Sequence, residues 1–233
     1  DSKSTQLEVT KVLNNLKEAI KKLVLKKDPA IASVTTFKEL KAAINNPKVK
    51  TIQLNKDIKL TETLKVSSEK HINGNGYTLK NTSTSNSIRA INIDTEGEVT
   101  IKNLTVEASC ERAFNVINNP AKLTLDNVTA TAYNNAVMIA TSAGAVNLNV
   151  NDCDSTGLAV VNVAGAGSQV TITDTKITNV DNNPDENYGA ITIWTDANGA
   201  SVAVTGGEII VADDSKAAYV FPADATITGV ENV

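Results

Sequence analysis

The sequence predicts an all-β solenoid of seven or eight stacked coils, each built from three short parallel strands and closed at its start by a capping helix. Three observations predict it. First, a pentad of apolar, polar, apolar, polar and then Asn, Asp or Gly recurs from Tyr77, Val99, Leu123, Leu148, Val170, Val202 and Ala225, at spacings of 22, 24, 25, 22, 32 and 23 residues. Second, a series beginning Ala90-Ile-Asn-Ile93 runs in step with it, repeating from Ala113, Ala136, Ala159, Ala190 and Ala218, with the first four alanines 23 residues apart. Third, a short alternating stretch follows the Asn/Asp position at Leu104–Val106, Val128–Ala130 and Cys153–Ser155.

Alternation with period two, three times in every ~23 residues, excludes helical repeats and demands strands. One such coil cannot bury its inward side chains. Stacked at about 4.8 Å per coil, the Val, Ile and Leu positions form a continuous apolar column. The turn position holds Asn81, Asn103, Asn127, Asp152 and Asp174, then Gly206 and Gly229. These residue types tolerate a left-handed backbone, and stacked amides can hydrogen-bond up the column.

The elements follow in order. Residues 5–27 read as a helix whose Val9, Leu13, Leu16, Ile20 and Leu23 alternate spacings of 4 and 3, with Lys11, Lys17, Lys21, Lys22, Lys26 and Lys27 around them. That seam fits packing along the β-body as an extended cap, self-association as a stalk, or an amphipathic helix on an anionic surface. Residues 1–30 are accordingly set apart as an N-terminal helix, cap extension or stalk, from a body spanning 31–233. Residues 36–45 form the capping helix, with Thr35 or Thr36 at its start and Phe37, Leu40 and Ile44 on one stripe; it plugs the first edge of the stack, which would otherwise invite another chain. Pro47 and the extended stretch from Val49 to Leu54 begin the first coil. Asn73-Gly-Asn-Gly76 is a tight turn, since no Lys-Ser/Thr and no helix follow it as a phosphate loop requires. No capping helix follows Ala225–Gly229, so that edge is expected to be covered either by a cap in residues trimmed away or by another chain.

The stretch from Thr36 to Asn81, TFKELKAAINNPKVKTIQLNKDIKLTETLKV and then HINGNGYTLKN, resembles the opening segment of right-handed parallel β-helix proteins. The superfamily is often called pectin-lyase-like, and the chain looks like its bacterial surface or adhesin-type members over residues 34–233. The resemblance implies the right-handed fold. It does not imply an activity, because lyases, hydrolases and non-catalytic surface proteins share the architecture.

Composition narrows the rest. Of the 233 residues 41% are hydrophobic, 21% charged and 3% aromatic, with a net charge of −4. No apolar run approaches the length of a membrane span, and a pI near 5.1 argues against nucleic acid. Residues 1–80 carry +8 (16 Lys against 8 Asp and Glu) and residues 81–233 carry −12 (6 Lys and Arg against 18). The chain opens at Asp1, which fits a removed signal peptide or a piece of a larger protein. Few cysteines and abundant Lys, Asn and Thr fit an exported bacterial protein.

Candidate chemistry is sparse. The long coil swells around 179–188 and the next near Asp213 and Asp214, so Asp181, Asp185, Glu186, Asp213 and Asp214 form an acidic patch that could hold Ca²⁺ or serve a polysaccharide lyase or glycoside hydrolase. None sits in a motif diagnostic of either enzyme, and no other cofactor is implied. Arg89 and Arg112 occupy equivalent positions one coil apart and could share a carboxylate or sulfate, with Glu96 or Glu111 as neutralising partners. Tyr188 and Trp194, beside the acidic loop, are the best aromatic platform for a sugar. His71 reads as an exposed turn residue, and Cys153 as a small core residue with Cys110 out of bridging register. The broken Thr ladder at Thr78, Thr100, Thr124 and Thr171 reads as ordinary strand propensity.

These observations favour a non-enzymatic extracellular module that contacts glycans or a host or cell-surface protein through its loops. A polysaccharide-degrading enzyme using Asp181 and Asp213, and a pure spacer, are the competing classes.

Overall fold

The computed structural model describes residues 6, 8–17, 31–85, 87–180, 188–212, 218–223 and 225–229. The body is a parallel β-helix of about eight turns. Each coil runs through a first strand, a one-residue left-handed turn, a second strand, a longer turn and a third strand. Every strand pairs in parallel with its equivalent one coil away. Glu98–Ala108 and Lys122–Thr131 pass unbroken through the first turn, which joins first and second strands into one fourteen-stranded sheet. Third strands form a separate seven-stranded sheet.

Register explains the core. Ile52, Ile72, Ile101, Leu125, Val150, Ile172 and Val204 stack in one inward row of the first strands. Ile91, Phe114, Val137, Val161 and Ile191 do so in the third, and all of these residues are buried. The left-handed turn falls at Asn103, Asn127, Asp152 and Asp174, with φ between 47° and 52°, then at Gly206 and Gly229. Asn127 Nδ2 donates to Asn103 Oδ1 (2.9 Å), and Asn103 Nδ2 to Asn73 Oδ1 (3.1 Å), so the amides satisfy one another up the stack. At Gly229 the change to glycine has a steric cause, since a Cβ there would lie 1.6 Å from the backbone carbonyl oxygen of Val204.

The capping helix spans Phe37–Asn45 and buries Leu40, Ala43 and Ile44 over the first coil. Thr36 caps it, accepting from Glu39 N, while Glu39 Oε2 accepts from Thr36 N and from the N–H and hydroxyl of Thr35. A strand not foreseen in the sequence, Ile31–Val34, precedes the helix and pairs with Thr51–Leu54.

Three readings of the repeat are corrected. Tyr77–Asn81 belongs to the second strands, since Leu79 pairs with Val106 and Asn81 with Ala108. Asn81 is therefore a buried strand residue, not a left-handed turn. The first-strand equivalent in that coil is Lys70–Asn73, hidden from the pattern because Lys70 occupies an inward position, in register with Val99 and Leu123. Lys70 is fully buried, and its Nζ reaches Ser68 Oγ (2.9 Å) and the carbonyl of Asn46 (3.4 Å) at the end of the capping helix. An ammonium there complements the negative end of the helix dipole. For the same reason His71 lies on a strand, facing outward 3.8 Å from Glu69, and takes the row position assigned to Thr78. Finally, Val160 rather than Ala159 is the register partner of Ala136, as Val161 pairs with Val137.

At the N-terminus, residues 8–17 are helical and exposed on every side, Val9, Leu13 and Leu16 included. No helix among the described residues is long and apolar enough to cross a membrane.

Candidate functional site

The third sheet presents an outer face built by alternation. With Ile91 and Ile93 turned inward, Asn92 must face out, and register places Asn92, Asn115, Met138, Asn162 and Thr192 in one row. Their side chains are tied down. Asn115 Nδ2 donates to Asn92 Oδ1 (2.9 Å), and the Thr192 hydroxyl bonds both backbone groups of Gly189.

Both described clusters of candidate residues lie along this sheet. At its beginning Arg89 and Arg112 pair in register, as their spacing predicts. Glu111 bridges them, with Oε2 2.6 Å from Arg89 Nη2 and Oε1 3.3 Å from Arg112 Nη2. Arg112 Nη1 also donates to Asn115 Oδ1 (2.8 Å). Burial lowers the Arg112 pKa, and Glu111 opposes the shift. The arginines are thus largely engaged within the fold.

Further along, Trp194 follows Ile193 and its indole N–H donates to Asn162 Oδ1. Tyr188 stands beside it, with ring centroids 6.3 Å apart and planes inclined at 32°. Trp194 remains 39% exposed. A fixed indole with an open face beside a second ring suits the apolar face of a sugar. Asn162 and Thr192, which hold this corner, were missed in the sequence. The signal for Thr192 was the outward position two residues after Ala190, whereas Asn162 lies three after Ala159 because Val160 holds the register position there.

The remaining candidates divide simply. Asp181, Asp185, Glu186, Asp213 and Asp214 lie outside the described residues. Among the described residues no group of three or more His, Cys, Asp or Glu is placed to hold a metal. Cys110 and Cys153 are buried and unbridged; desolvation pushes the Cys153 thiol up to about 11 and raises Cys110 as well, so neither is a ready nucleophile.

Residues 31–139, just under half of the chain, match a family model described as "Putative pectate lyase-like adhesive domain". The chain is a parallel β-helix, and over that segment it is similar to this adhesive domain. Among solved structures this β-helix is similar to "L. reuteri 53608 SRRP" at 13% identity, covering 84% of this chain and 98% of that one, with a TM-score of 0.31. A score that low carries no argument about function. The comparison with curated proteins returns no match. The matched segment includes the capping helix and the Arg89–Glu111–Arg112 cluster but stops short of Trp194.

Proposed function

We propose that the protein is an extracellular adhesive module of a bacterial surface, and that it contacts carbohydrate through the Tyr188–Trp194 corner of its third sheet. The observation that carries this reading is the posture of Trp194: pinned by Asn162 through its N–H, beside Tyr188, yet open on one side. An aromatic ring fixed before binding loses little entropy when a sugar docks on it. The Arg89–Glu111–Arg112 cluster lies along the same sheet, four strands from Arg89 to Trp194, roughly 19 Å at the usual strand spacing.

The test is a glycan array probed with the whole chain and with Trp194→Ala. Binding to a defined set of glycans that weakens by at least tenfold in the variant supports the proposal. An array on which the wild-type chain binds nothing, or binds equally without Trp194, overturns it.

A further inference from the structure

The N-terminal helix has an apolar face with no covering element among the described residues. Val9, Val12, Leu13 and Leu16 are 62, 66, 50 and 56% exposed and form one continuous apolar patch with the stem of Glu8. The body has no need of this face, because the helix Phe37–Asn45 already covers the first coil with Leu40, Ala43 and Ile44. Aliphatic exposure on this scale marks an interaction surface.

The order of residues says what fits it. Val9, Leu13 and Leu16 are spaced 4 and 3, and the sequence extends the rule to Ile20 and Leu23. That is the 3.5-residue period of a supercoiled seam, in which each side chain fills a gap between four residues of a like helix. In heptad terms Leu13 and Ile20 fall at a, and Val9, Leu16 and Leu23 at d. Val12, Ala19 and Val24 flank the seam at g and e, so most of the border is uncharged too. In the sequence pattern Glu8, Lys11, Glu18, Lys21 and Lys22 all fall at b, c or f, away from the a and d positions. A second copy can therefore approach with little like-charge contact along residues 9–24; Lys17 and Lys26 are the charges at the border and Lys27 falls at a where the seam ends, and their stems can fold back to let the ammonium reach water. A lipid surface is the poorer match, since residues 1–36 contain no Phe, Trp or Tyr to anchor at the interface.

We propose that this face is a self-association surface whose occupant is the same helix of another copy of the chain, so that two or more β-helices are displayed on one stalk. The proposal stands apart from the glycan-binding reading. If both hold, linked copies bind a repetitive surface with avidity beyond that of a single corner.

Sedimentation equilibrium of the whole chain, with Leu13→Asp/Leu16→Asp and Lys11→Glu variants, tests it. The expected result is a concentration-dependent mass above the 24.5 kDa of one chain, lost in the double variant and retained in Lys11→Glu. Thermal unfolding of the double variant should show the body's transition unmoved. A wild-type mass of one chain up to about 10⁻⁴ M, where even weak pairs form, overturns the proposal, as does a raised mass that survives the double substitution. A monomer that co-floats with anionic vesicles overturns it in favour of a lipid partner. A lowered body transition in the double variant overturns it in favour of packing within the chain.

Discussion

The left-handed turn of each coil depends on single residues. Asn127 holds φ at 52° and passes a hydrogen bond to Asn103. An alanine there keeps the Cβ penalty of the left-handed region without the amide's bond, so Asn127→Ala should cost about 1–2 kcal/mol. Asn127→Gly, free of that penalty, should cost less, and urea titration of the two variants gives the comparison. Lys70 offers a different test. Burial draws its pKa below the ordinary 10.5, with Lys50 reinforcing the shift and Glu69 opposing it. Because the unfolded chain holds this proton more tightly, stability should rise with pH between the lowered value and 10.5. Lys70→Met removes a buried charge and should stabilise the fold at pH 7 by about 1 kcal/mol. That gain should shrink as pH rises from the lowered value to 10.5 and level off above it, which melting curves at pH 7 and pH 11 can show. Lys70 also marks where the sequence misled. One charged residue at an inward position broke the alternation and lent its place in the series to Tyr77–Asn81. Alternation reports the average environment of a face and is blind to a lysine that buries its stem and carries its ammonium to a helix end.

At the scale of elements, the capping helix was legible because its signals are local. Thr36 and Glu39 form the reciprocal cap, and Leu40 and Ile44 mark the buried stripe. Thr36→Ala should lower stability by ~1 kcal/mol. The Thr35 and Thr36 donors hold the Glu39 carboxylate below its usual pKa. Its contribution is therefore present above the ordinary Glu range and lost as pH falls through the lowered value. An acid titration of Glu39→Gln should accordingly be shallower than that of the parent. The strand Ile31–Val34 was not legible. Its four residues, IASV, carry too little alternation, and its partner Thr51–Leu54 lies beyond the intervening helix. The Tyr188–Trp194 corner stands between these cases. Alternation turned Trp194 outward correctly, but only the fold brings Asn162, 32 residues earlier, beneath its indole.

The whole molecule behaves as a one-dimensional stack, which makes the cost of a lesion depend on its place in the column. Ile101 is fully buried with a register partner on each side, Ile72 and Leu125. Ile101→Ala should cost about 2–5 kcal/mol. Ile227, partly buried in the last described first strand, pairs with Val202 on one side, and Ile227→Ala should cost less. Thermal unfolding of both variants measures the difference. The charge imbalance was legible from counting alone, and the structure ties part of it down between coils: Lys50 with Glu69, Lys65 with Asp94 and Lys80 with Glu107.

The hydrogen bonds that join one coil to the next run along the column rather than across it. Tension drawn between the two ends of the chain would be aligned with them and should peel coils away one after another. A coil of 23 residues pulled straight gains roughly 75 Å over its rise in the stack. An optical trap should therefore record a sawtooth of near-equal steps, interrupted by one of roughly 100 Å from the 32-residue coil. A tether that lengthens in this graded way gives up its end coils while the inner ones stay folded, so a contact made by an inner coil outlasts a sudden drag on the ends.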